Sequence, residues 1–211
     1  MTHRLKGLYA ITDPQLTPPD TLPPQVEAAL RGGAKVIQLR DKSRDQGLRL
    51  HLAHQLRDLT RDYGALLIIN DDVALCRACG ADGVHLGQED MDLAEARDWL
   101  GEGFLIGATC HGSVALAREV LAAGADYLAF GRFFPSATKP DAPPADLASI
   151  RTFLAGCPVP TVAIGGITLN NAAPLLEAGF TMLAVVQDVF GHPDIESQCR
   201  RFSDLFATAT H

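Results

Sequence analysis

One pattern recurs four times along the chain and restricts its architecture more than any other feature. An alanine-rich helical stretch ends in glycine, one or two small residues follow, and an apolar strand begins. The instances are VEAALRGGAKVIQL, LCRACGADGVHL, EVLAAGADYLAF and PLLEAGFTMLAVV, with helix-ending glycines at Gly33, Gly80, Gly124 and Gly179. Glycine suits this position because it enters the left-handed region without a Cβ clash. The glycines stand 47, 44 and 55 residues apart, too far for one strand–helix unit and about right for two. Further strands therefore belong in the intervals, and GLYAIT, LLIIN, FLIGAT and TVAIGG supply them. The expected strands lie near 7–12, 35–40, 66–70, 83–87, 104–109, 127–131, 161–165 and 182–186.

Eight strands alternating with helical segments imply a parallel sheet with right-handed connections. A length of 211 residues gives each unit roughly 26 residues, sufficient for a closed (β/α)8 barrel. An open doubly wound sheet would normally show a GxGxxG turn after its first strand, and YAITDPQL has none. No linker interrupts the pattern, so residues 1–211 read as one α/β TIM-barrel domain.

Composition excludes several classes. At 47% hydrophobic and 20% charged the chain is globular rather than disordered. A net charge of −7 argues against a uniformly basic nucleic-acid binder. No apolar run reaches the roughly 20 residues a membrane span needs, and MTHRLKGLYAITD lacks the apolar core of a secretory signal. Five scattered cysteines read as reduced thiols of a cytoplasmic protein with no membrane partner. Cys76 and Cys79 form a CxxC with no second pair, and read as two thiols on a helix.

In a barrel of this kind, chemistry gathers where the strands finish. Here the ends carry Tyr9 and Asp13; Gln38, Arg40 and Lys42; Asn70, Asp71 and Asp72; Gln88, Glu89 and Asp90; Thr109, Cys110 and His111; Arg132, Ser136, Thr138 and Lys139; Gly165 and Gly166; and Val186 and Gln187. A strand period of two puts Gln38 and Arg40 on one face and Leu39 on the other. Arg40, Lys42 and Lys139 are cations from two loops, and Asp71 and Asp90 are carboxylates from two others. Carboxylates bind phosphate poorly, so their presence beside cations points to a bridging Mg²⁺. A diphosphate has oxygens enough to meet the metal, Arg and Lys together. Gly165-Gly166, followed by Ile167 and Thr168, reads either as a second anion site opening the seventh helix, with Asn170 as its cap, or as a plain tight turn. Two anion sites, one with metal, suit the joining of two phosphorylated molecules with loss of diphosphate.

The stretches GLYAITD, QLRDK, INDD, DGVHLGQED, IGATCH, FPSATK and VAIGGIT, in this order and spacing, resemble the thiamine phosphate synthase (thiamine-phosphate pyrophosphorylase) family along nearly the whole chain. The resemblance implies a Mg²⁺-dependent transferase of thiamine biosynthesis, a homodimer or higher homo-oligomer. It would join 4-amino-2-methyl-5-hydroxymethylpyrimidine diphosphate to 4-methyl-5-(2-phosphooxyethyl)thiazole by a dissociative route. By similarity, Arg40, Lys42, Asn70 and Lys139 would hold the diphosphate, with Thr138 in the same loop. Asp71 and Asp90 would hold Mg²⁺. Gln38, Tyr9 and Thr109 would face the pyrimidine, and Ser136, Gly166 and the backbone at Val186 and Gln187 the thiazole phosphate. The Pro-rich stretch from Pro135 to Pro144 would be a lid.

The chain departs from the family pattern at four positions: Thr109 stands where Ser is frequent, Ser136 where Thr is, Gln187 where Ser is and Arg132 where Pro is. Gln187 puts a side-chain bond to the thiazole phosphate in doubt. Arg132 either adds positive charge at the phosphate end or pairs with an acidic neighbour. His85 reads as a buried, hydrogen-bonded histidine rather than a base, and Trp99, Phe133 and Phe134 read as packing residues. Two rival functions are a thiazole tautomerase on the related barrel, which uses a histidine in the strand-six loop, and a non-catalytic binder of thiamine phosphates.

Overall fold

The computed structural model describes residues 2–135 and 143–209. Eight parallel strands close in chain order: β1 (Gly7–Ile11), β2 (Val36–Leu39), β3 (Leu66–Asn70), β4 (Gly83–Leu86), β5 (Leu105–His111), β6 (Tyr127–Phe130), β7 (Thr161–Ile164) and β8 (Met182–Val185). β8 pairs back onto β1 through Leu183↔Leu8 and Ala184↔Tyr9, so the barrel expected from the glycine repeat is the one observed. The helices are α1 (Leu22–Arg31), α2 (Gln46–Asp62), α3 (Val73–Cys79), α4 (Leu93–Leu100), α5 (Val114–Ala122), α6 (Leu147–Leu154), α7 (Ala173–Glu177), α8 (Gln187–Phe190) and α9 (Ile195–Ala209). Among the described residues, no helix is long and apolar enough to cross a membrane.

The strand period of two builds two separate cores. Leu8, Ile37, Leu39, Leu67, Ile69, Val84, Ile106, Leu128 and Leu183 face outward and pack under the helices. Tyr9, Ile11, Val36, Leu66, Ile68, Leu105, Tyr127, Val162 and Met182 fill the barrel itself. Leu39 thus packs outward as its alternation with Gln38 requires. The repeat glycines take left-handed backbone at the helix ends, with φ of 98° at Gly33, 64° at Gly80, 93° at Gly124 and 105° at Gly179. At the helix starts Asp45, Asp72, Asp92 and Ser113 accept first-turn N–H groups.

The same repeat anchors the strand starts. Asp82, from GADG, accepts the Leu67 N–H at 2.8 Å and the Arg57 guanidinium at 2.7 Å. Asp126, from GADY, does likewise with the Ile106 N–H at 2.8 Å and Arg97 at 2.6 Å. Each aspartate bridges a neighbouring strand to the helix beyond it.

Four local expectations are corrected. β5 runs two residues further than expected, to His111, because a bulge between Thr109 and His111 keeps it paired with β6. Gly165-Gly166 does not open α7, which starts at Ala173. The intervening turn is held by Asn171 rather than Asn170: Asn171 Oδ1 accepts the Thr168 N–H at 2.8 Å, and its amide donates to the Gly166 carbonyl at 3.0 Å. Trp99 is 48% exposed, its ring covered by the Arg77 guanidinium 5.6 Å away, so it does not join the core.

Candidate active site

The third and fourth strand ends bring two carboxyl groups together. Asp71 follows β3 in a left-handed conformation, φ 64°, fixed by its N–H donating to the His85 carbonyl at 2.9 Å. Its neighbour Asp72 caps α3 and pairs with Arg49 at 2.9 Å, which braces the turn from outside. Asp90 curls back so that its Oδ2 accepts the Gly87 N–H at 2.6 Å. The Asp71 and Asp90 carboxyls come within hydrogen-bonding reach of each other. Burial first, and then Asp90, push the Asp71 carboxyl up to about 6, while Lys42 and the Asn70 side chain draw it down. Asp90, expected with Asp71 at Mg²⁺, and Lys42 and Asn70, expected at the diphosphate, thus all act on the Asp71 carboxyl.

Mutual repulsion in a half-buried carboxylate pair is relieved by a divalent cation between them. Among the described residues no group of three or more His, Cys, Asp or Glu gathers as a metal site. A donor set of two carboxylates matches the habits of Mg²⁺, which takes its remaining ligands from phosphate oxygens and water rather than from an all-protein cage. The residues fit the ion.

Arg40 lies at the end of β2, 18% exposed, 3.6 Å from Asp13 after β1, and its N–H donates to Thr12 Oγ1 at 3.0 Å. Gln38 lies deeper, 3% exposed, and its amide Nε2 donates to the Tyr9 hydroxyl at 2.7 Å. Tyr9 is 1% exposed, and the structure puts its hydroxyl under Gln38 and against Tyr127 rather than at the mouth. Thr109 Oγ1 meets His85 Nε2 at 2.9 Å. His85 is half-buried and hydrogen-bonded, as expected of it, with its ring stacked on Tyr127 at 5.5 Å.

At the far rim, the two glycines after β7 are dictated by close approach. A Cβ on Gly165 would overlap Arg132, and one on Gly166 would overlap the Phe134–Pro135 backbone. Their φ values of 104° and 62° also exclude ordinary side chains. Gly166 thereby holds the start of the strand-six loop against the strand-seven turn. Val186 and Gln187 begin the single-turn helix α8. The Gln187 side chain folds back onto Gly191, whose missing Cβ would overlap its Nε2, so the backbone N–H is what this position offers. Ser136, Thr138, Lys139 and most of the expected lid, residues 136–142, lie outside the described residues.

The family model for thiamine monophosphate synthase matches residues 8–189. The chain belongs to the thiamine monophosphate synthase family. It is 52% identical to a thiamine-phosphate synthase of Alcanivorax borkumensis, over 98% of this chain and 96% of the relative. It is 51% identical to one of Marinobacter nauticus, over 95% of this chain and 91% of the relative. A solved thiamine phosphate pyrophosphorylase from Pyrococcus furiosus superposes with a TM-score of 0.90 at 36% identity, covering 99% of this chain and 98% of its own.

Two residues of this family member lie outside the strand-end pattern on which the sequence expectations rest. Tyr127 is one, on the inward face of DYLAF with Ala129. Gly107 is the other. A Cβ there would overlap the Tyr127 ring, so the glycine in IGATCH makes space for that tyrosine in the barrel.

Proposed function

We propose that this chain is a thiamine-phosphate synthase. It joins 4-amino-2-methyl-5-hydroxymethylpyrimidine diphosphate to 4-methyl-5-(2-phosphooxyethyl)thiazole, giving thiamine phosphate and diphosphate. The observation that carries the reading is the paired Asp71 and Asp90 carboxyls beside Lys42 at adjoining strand ends. That arrangement suits a diphosphate leaving group, and the names of relatives about half identical to this chain agree with it. The tautomerase alternative is not favoured, because Arg132 stands in the strand-six loop where that chemistry needs a histidine.

Asp71 and Asp90 would hold Mg²⁺, which when bound supplies charge to the diphosphate oxygens. Arg40, Lys42 and Asn70, with Lys139 and Thr138 from the strand-six loop, hold the diphosphate. As the C–O bond breaks, its electron pair leaves with the diphosphate, and negative charge builds there. Arg40, Lys42 and Lys139 then bind the departing group more strongly than the substrate, which is what accelerates the step. Gln38 and Thr109 orient the pyrimidine. The thiazole, anchored through its phosphate by Ser136, Gly166 and the N–H groups at Val186 and Gln187, presents its nitrogen lone pair to the pyrimidine methylene carbon. Prealignment makes capture local and leaves water little opportunity.

The test is formation of thiamine phosphate from the two substrates with Mg²⁺. Asp71→Ala and Lys42→Ala should each lower turnover by about a hundredfold or more. Full turnover in excess chelator, or in both variants, overturns the reading.

A further inference from the structure

Beneath the mouth, five side chains on five strands form one continuous hydrogen-bonded chain. Gln38 Nε2 donates to the Tyr9 hydroxyl at 2.7 Å, and Tyr9 meets the Tyr127 hydroxyl at 3.0 Å. Tyr127 meets His85 Nδ1 at 3.1 Å, and His85 Nε2 meets Thr109 Oγ1 at 2.9 Å. The middle is sealed, since Tyr9 and Tyr127 are 1% and 0% exposed. Gly107 exists in β5 to admit the Tyr127 ring. The two ends, Gln38 and Thr109, are the side chains assigned above to the pyrimidine.

Counting protons gives the chain a direction. A phenol carries one proton. The Tyr9 oxygen accepts from Gln38, so its own proton goes to Tyr127. Tyr127 then donates to His85 Nδ1. The imidazole is accordingly neutral, bare at Nδ1 and protonated at Nε2, and it donates to Thr109 Oγ1. The Thr109 proton is left to point elsewhere, and Gln38 keeps Oε1 as a spare acceptor. A cationic His85 would donate from both nitrogens and orphan one sealed phenolic proton, at the desolvation cost of an unmade hydrogen bond. Reversing the direction requires every member to flip, from the Gln38 amide to the Thr109 hydroxyl.

We propose that Tyr9, Tyr127 and His85 are positioning residues that set hydrogen-bond polarity at the pyrimidine end, holding Thr109 as a donor and Gln38 Oε1 as an acceptor. This matches a ring with an amino donor and bare ring nitrogens. An oxo ring in the same place offers an acceptor where the amino group donates and a ring N–H where a bare nitrogen accepts, so the relay selects amino over oxo pyrimidines. The proposal rests on the function proposed above.

Tyr127→Phe and Tyr9→Phe keep the rings and hence the packing. Nitrogen NMR of the substrate-free native protein should find His85 in the single Nε2–H tautomer, and Tyr127→Phe should give a mixture. In steady-state kinetics each variant should raise KM for the pyrimidine diphosphate by about tenfold, the effect of one lost hydrogen bond, and leave KM for the thiazole phosphate unchanged. The double variant should be no worse than the worse single one, because a chain broken once is already broken. Preference over a 4-oxo analogue should shrink in the same variants. An unchanged tautomer in Tyr127→Phe, multiplying penalties in the double variant, or an equal rise in both KM values overturns the relay. The tautomer measurement needs no substrate. A native protein inactive on both substrates would therefore defeat the functional reading, while the relay itself would still stand or fall on the NMR result.

Discussion

At Asp71, backbone conformation and charge act together. Aspartate tolerates left-handed backbone better than most residues, and that turn is what aims the carboxyl at Asp90. Burial and Asp90 favour the protonated form, lifting the group from 3.8 to about 6. The folded, ion-free protein thus keeps a proton that the unfolded chain gives up at lower pH. The stabilisation this brings is complete below about pH 4 and is lost as pH rises through about 6. Asp71→Asn, which also accepts left-handed backbone, abolishes that loss. Without Mg²⁺ the variant's melting temperature should gain on the native protein's as pH rises from about 5 to about 7.5. The variant should also lose the rise that Mg²⁺ gives the native protein. Thermal melts across this range, with and without Mg²⁺, check both, and parallel pH curves would refute the first. The cysteines give a second prediction at this scale. Burial pushes the Cys110 and Cys199 thiols up to about 12, and raises Cys76 and Cys79 as well. Cys157 is the least buried of the five. A thiol reagent at about pH 8 should label Cys157 first and leave the other four unmodified until the protein unfolds. Peptide mapping checks the order.

Among the elements, the strand starts carry stability while the strand ends carry chemistry. Asp82 is 5% exposed and ties β3, β4 and α2 together, whereas the corresponding Asp126 is 25% exposed. Removing one partner of a buried ion pair strands the other, at a cost of about 3–5 kcal/mol, and exposure reduces that cost. Asp82→Ala should lose about 3 kcal/mol in urea unfolding, Asp126→Ala less, and neither should alter KM. The strands themselves were legible because period-two burial and helix-ending glycines are local signals, and all eight fall within two residues of the expected bounds. The partnership of Asp71, Asp90 and Lys42 was legible because each lies at a strand end. Depth was not. Whether Tyr9 reaches the mouth or stops below it depends on barrel stagger, which no local pattern records. Tyr127 escaped notice for the same reason, as did Gly107, since their complementarity exists only once β5 and β6 are in register. Of the two readings of Gly165-Gly166 the tight turn holds and helix opening does not, because Asn171 reaches back to Gly166 across five residues, and sequence spacing favours Asn170 as readily.

For the whole molecule, closure by β1 and β8 is reinforced outside the barrel by α9 lying along α1. Arg31 Nε reaches Glu196 Oε2 at 2.8 Å, and Ser203 Oγ donates to the Gly32 carbonyl at 3.0 Å. The fit is tight at Gly32, where a Cβ would overlap the Glu196 carbonyl and stand 2.5 Å from Cys199 Cβ. The Gly32 backbone is ordinary, φ −72°, so alanine there is opposed by the packing of α9 alone. Gly80 is the converse, with φ 64° and nothing within 4 Å of a Cβ, so alanine there meets backbone strain alone. Overpacking typically costs about 1–3 kcal/mol and a left-handed alanine about 1–2 kcal/mol. In a chain of this size each kcal/mol moves the melting temperature by about 2–4 °C. Gly32→Ala should therefore melt about 5 °C below the native protein, and Gly80→Ala a few degrees below it. The two should diverge under proteolysis. Wedging α9 off α1 loosens the packing that buries Val26 of α1 and Phe202 of α9, so Gly32→Ala should be cut near residue 194 while still folded, and Gly80→Ala only on global unfolding. If the two variants are cleaved with the same pattern, α9 is not a separable clasp, and the barrel and its last helix unfold as one unit.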